Sequence, residues 1–117
     1  MEGAMETEPQ TGIDFAASVA PSATGGGSVV TLFGELDVAT ADRLRPALER
    51  ALEMPGDVEI DLRGCTFVDS SGIAVLVWAA WRLKQDSRRL RLRGARPRVR
   101  NIFDLTGLTE HSSVVVV

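Results

Sequence analysis

Two periodicities share the chain. In "DVEIDL", Val58, Ile60 and Leu62 fall on one face of an extended segment and Asp57, Glu59 and Asp61 on the other, the two-residue repeat of a half-buried strand. "RRLRLRG" repeats the pattern with the opposite charge, Leu90 and Leu92 facing in and Arg89, Arg91 and Arg93 facing out. "IDFAASVA" and "VVTLFGELD" read as two further strands joined by the glycine-rich hairpin loop "PSATGGGS". "HSSVVVV" has the β-branched content of a final strand on a sheet edge.

Between these runs the apolar spacing lengthens to three and four. "ATADRLRPALERALEM" places Ala41, Leu44, Leu48, Ala51 and Leu52 on one side of a helix, with Thr40 as its cap and Asp42 at the positive end of the dipole. Pro46 lies inside that pattern, so the helix either starts late or bends there. Ile73, Leu76, Val77, Ala80 and Leu83 define the inner face of a second helix that runs to about Lys84. A third follows Pro97, with Val99, Ile102 and Phe103 inward; Gly107 ends it in the left-handed conformation and sets Leu108 against Phe103.

A strand, a helix and a strand in succession leave the two strands parallel and close together. The acidic face of "DVEIDL" and the basic face of "RRLRLRG" then meet side by side, each opposite-charge pair contributing roughly 0.2 to 1 kcal/mol. One face of the sheet is therefore polar, and the helices belong on the other. The predicted class is α/β: a mixed sheet of about five strands with helices packed mainly on one face.

Length and composition narrow the class of protein. The chain has 117 residues, 44% apolar and 25% charged, enough for one compact domain. Residues 1–11 have little to bury and are predicted to form a disordered tail, leaving 12–117 as the domain. The longest apolar stretch, Ile73 to Trp81, falls well short of the roughly 20 residues of a membrane-spanning helix, which predicts a soluble protein with no membrane partner. The acidic N-terminus lacks the basic and apolar regions of a signal peptide, and the single Cys65 has no partner for a disulfide; both fit a reducing cytoplasm. A net charge of -3 argues against direct binding of nucleic acid, because pairing within the sheet accounts for the basic run.

The candidate chemistry lies in "TFVDSSGIAVLVWAAW", where Asp69, Ser70 and Ser71 stand between an apolar run and a helix. A nucleophilic serine needs a base, and the one histidine, His111, lies far along the chain in a loop-to-strand region; there is no G-x-S-x-G elbow and no lysine three residues after either serine. One cysteine and one histidine supply no zinc ligand set, and "GGGS" lacks the Lys-Ser/Thr ending and helix of a phosphate loop. The expectation is a protein that is not an enzyme, with no metal and no cofactor. Asp69 or Ser70 can cap the helix, a role worth about 1 kcal/mol. One cap suffices, however, and Gly72 removes a side chain from the first turn, which would let another molecule approach the Ser70 hydroxyl. A phosphate there would add about -1.5 to -2 charges at a helix N-terminus whose free amides tolerate it, while repelling a partner packed on the same loop.

"GELDVATADRL", "DLRGCTFVDSSGIAVLV" and "VRNIFDLTGL", in this order and spacing, resemble the STAS domain of bacterial anti-sigma factor antagonists, from about Ile13 to the C-terminus. The resemblance implies the STAS fold. It also implies a phosphorylation-controlled binding module that, when unphosphorylated, engages an anti-sigma factor serine kinase and frees a sigma factor. The kinase brings its own ATP and magnesium, and a PP2C-type phosphatase reverses the modification. Carried over, the phosphoacceptor is Ser70, with Ser71 at the position where the family has Ser or Thr, Asp69 as the acidic residue beside the acceptor and Asp37 as the acidic residue on the nearby loop; Gly72 and two departures from the family, Ala74 where a second glycine is frequent and Trp78, complete the expected partner-binding set. Trp78 and Trp81 lie away from the inner face, either packed under a neighbouring element or exposed to a partner. Cys65 reads as a small buried hydrophobe. The same fold also serves as a subunit of larger stress-signalling or lipid-transport assemblies, which is the alternative reading; a nucleotide site in the loop after "GELD" has no phosphate-cradling lysine to support it.

Overall fold

A computed structural model describes residues 15–117; the predicted tail over 1–11 lies outside the described residues. Five strands, β1 (Phe15–Pro21), β2 (Ser28–Leu36), β3 (Val58–Val68), β4 (Leu90–Arg93) and β5 (Val114–Val116), form one sheet in chain order. β1 and β2 are an antiparallel hairpin, and every later neighbour is parallel. The parallel joints are made by α1 (Ala41–Glu53), α2 (Ser70–Gln85) and α3 (Pro97–Leu105), the last followed by a short 3-10 turn, Leu108–Glu110.

Inward side chains of the sheet, among them Val30, Leu32, Leu36, Ile60, Leu62 and Leu92, share one core with Leu44 and Leu48 of α1, Leu76 and Leu83 of α2, and Val99 and Phe103 of α3. The outward row, including Thr31, Phe33, Arg63 and Arg93, stays exposed, so the helices cover one face as the alternation requires. On the open face the expected charge pairing forms around one carboxylate: Glu59 lies 2.9 Å from Arg93 Nε and 3.7 Å from Arg91 Nε. Asp61 pairs within its own strand instead, accepting from Arg63 Nε (3.0 Å) and Nη2 (2.6 Å), and this hydrogen bonding holds its carboxyl below the usual carboxylate value.

Four sequence expectations change. β3 extends to Val68, six residues past "DVEIDL", because register shifts between Thr31 and Phe33 and between Gly34 and Glu35 break the alternation while Cys65 and Val68 still point inward. α1 starts at Ala41 and contains Pro46, which is exposed, so the carbonyl it leaves without a donor can face water. Thr40 occupies the cap position without capping: its hydroxyl donates to the Glu35 carbonyl at 2.7 Å. On α2, Val77 is only half-buried and Val75 and Ala79 are buried, because the helix packs on α1 as well as on the sheet.

The opposite end of α1 is closed by a residue with no local sequence signal. Arg88 donates from Nη1 to the carbonyls of Met54 (2.8 Å) and Gly56 (3.2 Å) and from Nη2 to that of Leu52 (3.1 Å), placing a cation on the negative end of the helix. Beyond α3, Gly107 adopts φ 81° and Leu108 is buried with Phe103, as expected.

Candidate functional site

The parallel register Leu36↔Val68 brings the ends of β2 and β3 together, and the Asp69 amide donates to the Leu36 carbonyl at 3.0 Å. The "GELD" and "DSSG" segments therefore emerge side by side at the carboxyl end of the sheet. Asp37 is fixed within its loop: its Oδ1 accepts from the amides of Ala39 (3.0 Å) and Thr40 (3.2 Å), and its own amide donates to the Thr40 hydroxyl at 2.9 Å. Beside it, Val38 is exposed, and a cavity of about 520 Å³ opens between Phe33, Asp37, Thr40, Gly64 and Thr66.

Of the two capping candidates, Asp69 is the one that caps the helix. Its Oδ1 accepts from the amides of Ser71 (2.8 Å) and Gly72 (3.2 Å), and its carbonyl accepts from Ile73 at 3.0 Å. Ser70 is the first residue of α2; it is exposed, and its hydroxyl makes no hydrogen bond among the described residues. Ser71 is half-exposed and Ala74, one turn further on, is exposed. The amides expected to be free for a phosphate are thus partly taken: those of Ser71 and Gly72 already hold the Asp69 carboxylate.

Gly72 has a different purpose from the one read in the sequence. A Cβ there would lie 2.6 Å from Leu36 Cγ and 3.0 Å from the Leu36 carbonyl oxygen, so the glycine lets α2 close onto β2. It is buried and gives no outside molecule a path to Ser70.

The two tryptophans separate. Trp78 is half-buried against the core, with the guanidinium of Arg45 from α1 4.4 Å above its ring and that of Arg82 at 5.6 Å. Trp81 is 52% exposed and meets His111 edge-on at 4.9 Å, with Lys84 Nζ at the same distance from its ring. Spacing alone placed both off the inner face; the long-range partners Arg45 and His111 decide which one packs. Cys65 is buried, and burial raises its thiol pKa, the state of an inert core residue. The aromatic exposure at Phe33 and Phe67 beside the site was missed, because the bulges hide which strand face each occupies. Among the described residues no group of three His, Cys, Asp or Glu side chains could hold a metal, and no helix is long and apolar enough to cross a membrane.

A family model described as "Mlab, STAS domain" matches residues 19–117. The chain belongs to the STAS-domain family. This STAS domain is 33% identical over 81 residues to the anti-sigma-B factor antagonist of Bacillus subtilis, a match covering 69% of this chain and 74% of that one. It is 37% identical over 78 residues to the anti-sigma-B factor antagonist of Listeria monocytogenes, covering 66% and 68%. In three dimensions it is similar to the crystal structure of an anti-sigma factor antagonist from Mycobacterium paratuberculosis, with a TM-score of 0.75 and 26% identity over 86% of this chain and 85% of that one.

Proposed function

We propose that this STAS domain is a cytoplasmic anti-sigma factor antagonist: unphosphorylated, it binds an anti-sigma factor serine kinase, and phosphorylation of Ser70 ends the contact. The observation that carries the reading is the Ser70 hydroxyl, exposed at the first turn of α2 while Asp69 caps the helix. The docking face runs from Asp37 and Asp69 across Ser70 and Ser71 to Ala74 and Trp78, with Gly72 setting the height of the helix from beneath. A phosphate on Ser70 stands next to the Asp69 carboxylate, so a partner seated there faces two like charges, and repulsion and desolvation oppose the complex. A PP2C-type phosphatase resets the cycle.

The test uses an anti-sigma factor serine kinase from the same organism, with ATP and magnesium. Transfer of phosphate to the parent protein but not to Ser70→Ala is expected; equal labelling of both removes the site assignment. Ser70→Asp is expected to weaken the complex by about tenfold or more, since the added carboxylate beside Asp69 sets like charges against the partner at the contact.

A second reading, a STAS subunit of a larger lipid-transport or stress-signalling assembly, rests on the STAS-domain match alone. Sedimentation of cell extract separates the two: a persistent large particle containing this chain belongs to the second.

A further inference from the structure

At the opposite end of β3 from Ser70, a cavity of about 450 Å³ opens between the hairpin turn of β1–β2 and the uncovered face of β3 and β4. Its volume lies in the range of small-molecule sites. One wall is Arg91 and Arg93, two residues apart on β4 and therefore on the same face. Both are oriented through Nε by the carboxylate of Glu59, and with Asp57 also on the lining the two guanidinium groups stand beside two carboxylates. Their terminal Nη groups make no hydrogen bond among the described residues, so two planar donor forks stand side by side. Asp57, also at the rim, has its Oδ1 engaged by the Arg89 amide at 2.9 Å.

The facing wall is the turn itself. Ser22 and Thr24 hydroxyls lie 3.0 Å apart, and the Thr24 amide donates to Ser22 Oγ. Gly25 and Gly26 have φ of 90° and 71°, with nothing within 4 Å of where a Cβ would stand, and their amides bond no acceptor among the described residues. The turn is anchored to the sheet by the Ser28 amide donating to the Asp57 carbonyl at 3.0 Å. Hydroxyls, open glycine amides and paired guanidinium forks suit a compact dianion with several acceptor oxygens.

We propose that this cavity binds a phosphate monoester or free phosphate dianion, held bidentately by Arg91 and Arg93 and covered by the Thr24–Gly26 turn. The site is independent of the reading of Ser70, since the two lie at opposite ends of the sheet. An occupant would tie the hairpin turn to β4 and raise the stability of the fold by mass action.

The experiment is an amide and arginine side-chain NMR titration of the full chain with inorganic phosphate, with adenosine 5′-monophosphate, and with sodium chloride at matched ionic strength. Saturable shifts at Thr24–Gly27 and at the Arg91 and Arg93 Nε groups are expected with the phosphate compounds and not with chloride. Tighter binding of the nucleotide than of phosphate assigns a phosphorylated small molecule as ligand; equal binding assigns free phosphate. In R91Q/R93Q, with the spectrum otherwise unchanged, affinity is expected to fall by about tenfold or more. If the pair does not fold, Arg91→Gln and Arg93→Gln singly carry the comparison, each losing several-fold. Shifts no larger than those with chloride, shifts centred on the first turn of α2, or undiminished affinity in the glutamine variants would each overturn the proposal.

Discussion

The two ends of the sheet are built from the same materials, glycines, hydroxyls and charged side chains, and they use them differently. At the amino end, the polar groups join one element to another: Arg88 ties β4 to three carbonyls at the end of α1, Asp57 holds the Arg89 amide, and Ser28 donates across to β3. At the carboxyl end, Asp37 and Asp69 satisfy their own loops, and the neighbouring Ser70 hydroxyl is left with no partner among the described residues. A polar residue bound into several elements serves the fold. One that is ordered by its neighbours and bonded to none is available to another molecule.

This contrast predicts a gradient of mutational effects. The greatest belongs to the amino end: Gly27, at φ 98°, would bring a Cβ to 2.4 Å from the Asp57 carbonyl oxygen, backbone against backbone. Gly27→Ala is expected to cost about 3 kcal/mol or more in chemical denaturation. Arg88→Ala should follow at about 2 kcal/mol, because three carbonyls lose a charged donor together. At the carboxyl end the effects are smaller and split. Asp69→Ala should cost about 1 kcal/mol through loss of the cap, whereas Ser70→Ala should stay within about 0.5 kcal/mol. A loss at Ser70 as large as that at Asp69 would break the comparison.

The smallest effect is one of pH. The His111 Nε2 is buried without a partner among the described residues while Nδ1 accepts from the Ser113 amide, and burial, with Lys84 nearby, lowers its pKa from the ordinary 6.5. The unfolded chain therefore takes up this proton first as the medium acidifies. Its contribution to stability is lost as pH falls from 6.5 through the folded value. Melting curves of parent and His111→Gln should diverge across that window, with the variant the flatter of the two.

Much of this was legible in the sequence where one period holds over a whole element. Ala41, Leu44, Leu48, Ala51 and Leu52 all lie in the core, as their spacing required, and Leu90 and Leu92 alternate as read. "DSSG" marked the first turn of α2, and the quoted motifs together identified the family. The rest depends on contacts remote in sequence. The length of β3 was hidden by bulges set by its pairing with β2. The reason for Gly72 is Leu36, the partner of Trp78 is Arg45 on another helix, and the role of Arg88 exists only once the end of α1 is brought to it. Local patterns carry which face is buried; they carry little about what the buried face meets.

One consequence follows from the way Asp69 fills the start of α2. Since its carboxylate already occupies the amides of Ser71 and Gly72, a group added to Ser70 has no place in that ring of donors and must stand outside it. Such a mark would stand on the surface beside the Asp69 carboxylate, where a molecule seated on the first turn of α2 would meet it directly.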